Sequence, residues 1–124
     1  MRRGTVIDLS KSAPGQWYPA TMVVERWHDD TNRPLSEVAL RRRMEERGYF
    51  VSRYVYPPGT CFPDHTHEVD KLDAVVSGRL RITTEAASVV LEAGDCLAVP
   101  RGTLHTAEVV GDEPVVSLDG IHYG

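Results

Sequence analysis

Two histidines, His65 and His67, stand one residue apart in the stretch PPGTCFPDHTHEVDKLDAVVSGR, residues 57–79. Side chains on an extended chain alternate faces, so a His-x-His pair presents two imidazoles to one side. A metal ion requires that arrangement. A third histidine, His105, follows the stretch GDCLAVPRGTL. Neighbouring antiparallel strands lie about 4.8 Å apart, so imidazoles from two strands can converge on one ion at about 2.0–2.2 Å. Lys71 and Asp73 come next after His67 and share its parity on an unbroken strand. A protonated ammonium cannot ligate a metal, and beside a divalent ion it costs both repulsion and desolvation unless it is paired or neutral. Asp73 is the partner the local sequence offers. The expectation is therefore three histidine ligands beside an inward Lys71–Asp73 ion pair.

Three neutral imidazoles suit a divalent transition metal such as Fe, Zn, Ni or Cu, with Mn also in range. An open site of this kind can generate a bound hydroxide or offer two positions to a chelating substrate. In such a site Lys71 would orient an anionic substrate group, and Asp73 would pair with Lys71 or act as a base. Other polar residues have blander readings. Asp64, Glu68 and Asp70 are candidate acceptors for imidazole N–H groups or solvated loop carboxylates. Arg79, Arg81 and Thr83 line the interior or form a wet outer face, and both readings stay open. Cys61 reads as a loop thiol, Cys96 as core, and His28 and His122 as surface residues. Tyr49, Tyr54 and Tyr56 read as packing, and Trp17 and Trp27 as anchors for the N-terminal segment.

The elements that must position these groups are mostly strands. After Gly48 come YFVSRYVY (49–56), KLDAVVSG (71–78), RLRITT (79–84), SVVLEAG (88–94), DCLAVP (95–100), LHTAEVV (104–110) and EPVVSLDGI (113–121). Short strands separated by turn signals predict a sandwich or barrel. So many short strands also favour a sheet that closes on itself, since open edges invite aggregation. Before Gly48, PLSEVALRRRMEERG (34–48) predicts the one helix. Ser36 serves as N-cap, Leu35 and Leu40 as a staple, Glu37–Arg41 as an ion pair and Gly48 as the stop. TMVVERW (21–27) predicts a strand, HDDTNR (28–33) a polar turn, and residues 1–20 read as irregular.

With these residues in place the chain resembles the cupin family. The family's first motif is Gly, five residues, His-x-His, three or four residues, Glu, six residues, Gly; here Gly59, His65, His67, Lys71 and Gly78 hold those places. The second is Gly, five residues, Pro-x-Gly, two residues, His, three residues, Asn; here Gly94, Pro100, Gly102, His105 and Val109 hold them. Lys71 thus stands where the family has its carboxylate ligand, and Val109 where it has asparagine. The resemblance implies an all-β jelly-roll barrel with one short N-terminal α-helix. It also implies a ligand site inside the barrel and a homodimer. Residues 1–48 would form an N-terminal extension and residues 49–124 the barrel. A histidine-only metal site is a known variation in the family, seen in some non-haem iron dioxygenases.

The chain's 124 residues suit one domain. Its net charge of −4 argues against a nucleic-acid partner, and the run Arg41-Arg42-Arg43 is flanked by Glu37, Glu45 and Glu46 as on a salt-bridged helix face. No apolar run approaches the ~18 residues of a membrane span. The N-terminus lacks the apolar stretch of a signal peptide, and two cysteines make no disulfide framework. A cytoplasmic location is expected. Two functions follow: a metal-dependent enzyme acting on a small organic molecule, by dioxygenation or isomerisation, or a non-catalytic cupin that binds or senses a small ligand, with or without metal.

Overall fold

A computed structural model of the chain describes residues 5–8, 21–27 and 34–124. Ten strands and one helix occur among them. The strands are β1 (Thr5–Asp8), β2 (Thr21–Glu25), β3 (Phe50–Tyr56), β4 (Cys61–His65), β5 (Asp70–Ser77), β6 (Leu80–Thr84), β7 (Ser88–Leu91), β8 (Cys96–Val99), β9 (His105–Val109) and β10 (Val115–His122). They form a six-stranded sheet in the order β1-β2-β8-β5-β10-β3 and a four-stranded sheet in the order β4-β9-β6-β7. All pairings are antiparallel. The architecture is the expected all-β jelly roll. One difference is at the start: Thr5–Asp8, read as irregular, pairs with Thr21–Glu25. Trp17 and His28 lie outside the described residues, as does the expected turn at 28–33.

The six-stranded sheet carries apolar core residues on both faces. Val24, Val75, Leu97, Val99 and Val115 face the four-stranded sheet and meet Leu80, Ile82, Leu91, Ala107 and Val109 there. Val109, at the motif's asparagine position, is simply part of this core. On the other face Leu72, Ala74, Cys96 and Leu118 pack against Leu40 and Met44 of the helix α1 (Glu37–Glu46) and against Trp27. Ser36 caps α1 by accepting from the Ala39 N–H at 3.0 Å, as its sequence predicted. The expected Glu37–Arg41 pair is replaced by other contacts of both residues. Glu37 meets Arg53 of β3 at 2.9 Å, Arg41 lies 3.6 Å from Glu45 and also donates to the Val51 carbonyl, and Arg43 sits 3.9 Å over the Trp27 ring. Arg41 thus ties the helix to β3, and Arg43 ties it to Trp27.

The motif glycines hold tight turns. Gly78 joins β5 to β6 at φ +82°, and a Cβ there would lie 2.4 Å from the Pro114 carbonyl oxygen. Left-handed backbone costs an L-residue about 1–2 kcal/mol, and the clash is with backbone that cannot swing away. Gly78→Ala is therefore expected to lower stability by at least about 2 kcal/mol, measured as a shift in denaturant midpoint. Gly102→Ala, with nothing within 4 Å of its Cβ, should cost only the conformational part.

Candidate functional site

Chain direction alone would send His65 the wrong way. Phe62 of β4 pairs with Ala107 of β9, and strict alternation would then put residue 64 inward. Instead the register shifts by one, and His65 pairs with His105. An extra residue in one strand re-aims the side chains beyond it. This bulge, at Pro63-Asp64, turns His65 into the barrel. His67 lies just past the strand end, in the bend that carries the chain from the four-stranded sheet to the six-stranded one. Lys71 and Asp73 then project from β5, on the opposite wall. The four residues therefore do not line one strand face; they enclose a space between two sheets.

The three histidines come together. One ring nitrogen from each of His65, His67 and His105 lies within 4.8 Å of the other two. Their ring centroids are 4.2–5.3 Å apart. His105 is buried, while His65 and His67 are half-buried. Two of the rings have a fixed tautomer. His65 Nδ1 lies 2.7 Å from the Pro63 carbonyl and His105 Nδ1 2.8 Å from the Thr103 carbonyl. A carbonyl only accepts, so each Nδ1 carries the proton and each Nε2 is left with a free lone pair. A second-shell carbonyl of this kind orients ligating imidazoles in metal sites. Burial above all, and then the charge of Lys71 and the other histidines, lowers the His67 pKa. Burial likewise lowers that of His105, against the opposing Thr103 hydrogen bond. Both rings are thus biased to the neutral, ligating form at pH 7.

Of the flanking acids, Asp70 is engaged away from the imidazoles. Asp70 accepts from the Arg101 backbone N–H at 2.9 Å, which holds its carboxyl below the usual range and ties the Pro100-Arg101-Gly102 turn to β5. Arg81 and Thr83 lie on the outer face: Arg81 meets Glu108 at 2.7 Å and Thr83 meets Ser88 at 3.0 Å, while Leu80 and Ile82 between them point inward. Cys61 sits exposed on β4 with its thiol toward Glu108, and Cys96 is buried.

Lys71 has a partner that sequence spacing missed. Its ammonium contacts Asp119 of β10 directly, and Asp73 Oδ1 lies farther off at 3.8 Å. Asp119 and Asp73 are directly opposed in the β10–β5 pairing. Lys71 is thus one cation between two carboxyl groups, buried to 6% exposure. This resolves how a lysine can stand beside the histidine cluster: its charge is already matched. Burial and the neighbouring Asp119 carboxylate push the Asp73 pKa well above the usual carboxylate range, against the pull of Lys71. The three histidines, Lys71, Asp73 and Asp119 line one cavity of about 350 Å³, whose remaining wall is largely apolar: Tyr56, Phe62, Pro63, Leu80, Ile82 and Ala107, with Ser117. That volume and that mixture suit a small organic ligand. Tyr56, read from sequence as packing, presents its ring here, and burial pushes its phenol up to about 12.

The comparisons agree with this geometry. The family model described as a cupin domain matches residues 52–120. The nitrosourea synthase of Streptomyces achromogenes subsp. streptozoticus is 27% identical over 115 residues, which is 92% of this chain and 23% of that protein. The chain therefore spans about a quarter of that relative's length. Among solved structures, one of the DMSP lyases RdDddP and RnDddQII aligns with a TM-score of 0.55 at 25% identity, over 61% of this chain and 39% of the other. A predicted oxalate decarboxylase from Thermotoga maritima aligns over 99% of this chain and 94% of its own, with a TM-score of 0.55 and 15% identity, a likeness of fold.

Proposed function

The chain belongs to the cupin family, and from that premise we propose that it holds a divalent transition metal through His65, His67 and His105 and acts on a small organic molecule bound in the same cavity. The observation that carries this reading is the convergence of three imidazoles, two of them with Nδ1 tied to a carbonyl and Nε2 left free. The donor set fits the group: three imidazole nitrogens, no thiol lining the cavity, and a neighbouring cation already matched by a carboxylate. When bound, the metal would polarise a substrate oxygen or activate water at its remaining positions.

The chain's own residues set the rest. The apolar wall formed by Phe62, Leu80 and Ile82 takes the hydrocarbon part of the substrate and keeps the polar end toward the histidines. Lys71 and Asp119 keep that end of the cavity close to neutral. Two relatives, the nitrosourea synthase and the DMSP lyases, carry enzyme names and support turnover over passive binding. Cobalt(II) is a suitable probe. Titration into tag-free protein is expected to give saturable visible absorption bands, and small bidentate oxygen ligands such as hydroxy acids or diketones should shift them by entering open positions. Bands that never form, or that no chelating molecule disturbs, would contradict the proposal. Saturable binding of such ligands with no product formed across a substrate panel would assign the chain to the sensing class instead.

A further inference from the structure

The cavity holds two carboxyl groups and one ammonium on the wall facing the histidines, and none of them is a metal ligand in the histidine reading. Asp73 and Asp119 are opposed residues of adjacent strands, within hydrogen-bonding reach of each other. Lys71 contacts Asp119 and lies 3.8 Å from Asp73. Asp73 exposes 14% of its side chain and Asp119 20%, and both line the cavity. Two carboxylates this close cannot both ionise cheaply when a single cation serves them. With one proton on the pair, the three groups sum to zero charge; with none, they sum to minus one in a poorly solvated space.

We propose that Asp73 and Asp119 form a carboxyl–carboxylate pair holding one proton between them, and that this pair is the acid that protonates the substrate beside the histidine cluster. It rests on the reading of the cavity as a reaction site. In the step, the shared O–H bond breaks and a new O–H or N–H bond forms on the substrate atom that gains electron density. The pair is left with two negative charges beside Lys71, and water from the cavity mouth returns the proton after product leaves. Lys71 is a positioning residue, because it contacts Asp119 and lies 3.8 Å from Asp73, and so holds the pair in place.

The surroundings agree. From β3 the phenol of Tyr56 faces the pair, and its pKa of about 12 keeps it neutral, so it adds no competing charge. From the β4–β5 bend and from β9, His67 and His105 are biased to neutrality by burial and by Lys71. Leu97, opposite Asp73 on β8, brings no charge. The Asp73 carboxyl itself is shifted upward, as a proton-holding member should be.

The test needs no substrate. Protein labelled with ¹³C at the aspartate carboxyl carbon is titrated by NMR, with and without Zn²⁺. One carboxyl resonance is expected to keep its neutral-acid position at pH 7, and to be lost in Asp73→Asn and, separately, in Asp119→Asn, so that either variant suffices if the other fails to fold. Two aspartates that both ionise below pH 6 would overturn the proposal. Zn²⁺ uptake separates this idea from the metal reading. A retained proton with no Zn²⁺ binding sinks the metal site and leaves the pair; bound Zn²⁺ with both aspartates ionised sinks the pair and leaves the site. Once a substrate is known, Asp73→Asn is expected to lower kcat by about 10²–10⁴-fold, the range for general acids, while metal content stays at the wild-type level.

Discussion

Replacing His105 by alanine is expected to weaken metal binding by at least about 100-fold, the upper end of what loss of a mere second-shell partner costs. Of the three imidazoles His105 is the one with both a buried ring and a fixed tautomer, since it is 3% exposed and its Nδ1 is bonded to the Thr103 carbonyl. The ring borders an existing cavity, so its removal enlarges that space rather than opening a void in the packed core. The circular dichroism spectrum should therefore hold while affinity, measured by competition with a chromophoric chelator, falls. The pH dependence has a defined sign. His67 and His105 have pKa values lowered from 6.5, so between 6.5 and their folded values the unfolded chain binds more protons than the native one. Their contribution to stability is present above pH 6.5 and is lost as pH falls through the lowered values. Metal affinity is expected to hold from pH 8 to 7 and to fall in that same acidic window.

The second large effect concerns Lys71. The Asp73→Asn, Asp119→Asn double variant strands a cation at 6% exposure without a counter-charge. Uncompensated buried charge of this kind costs about 3–5 kcal/mol, on the order of 10–20 °C in Tm for a chain of this size. Each single variant should cost far less, because the remaining carboxylate can ionise fully and take over the pair: Asp119 already touches the ammonium, and Asp73 is 3.8 Å away. The two substitutions are therefore expected to be strongly non-additive, and adding Lys71→Met to the double variant should restore most of the loss. Additive single costs in thermal unfolding would show that the three groups do not act as one unit. Linkage adds a check. Asp73 has its pKa raised in the fold, so its contribution to stability is present below about pH 4, its unfolded value, and is lost as pH rises toward the folded one.

The histidine cluster was legible because its signal is local in two segments: His-x-His at 65–67 and a third imidazole after Pro-x-Gly. The strands after Gly48 were legible from turn residues, and α1 from its cap at Ser36. Asp119 was not. It lies 48 residues from Lys71, and nothing in spacing says that β10 inserts between β3 and β5. The usual clue, polar and apolar alternation, also fails there. The six-stranded sheet is covered by the barrel core on one face and by α1 on the other, so Val115 and Leu118 are both buried though they point opposite ways. The one available sign was that Ser117 and Asp119 share the parity of Val115 on the barrel side. The bulge at Pro63-Asp64 was equally hidden. The histidines were expected to alternate along an unbroken strand, and the inward turn of His65 instead depends on an extra residue that only the pairing with β9 reveals. The partner of Glu37 was missed for a related reason, since Arg53 on β3 is nearer in space than Arg41 is useful in sequence.

Elemental analysis of the tag-free chain bears most directly on the three-imidazole centre. About one divalent transition-metal ion per chain is expected after purification or after loading at pH 7.5, falling to background in His105→Ala. A folded wild-type chain that carries no such ion and takes up none when Fe²⁺, Zn²⁺, Ni²⁺, Mn²⁺ and Cu²⁺ are supplied would contradict it.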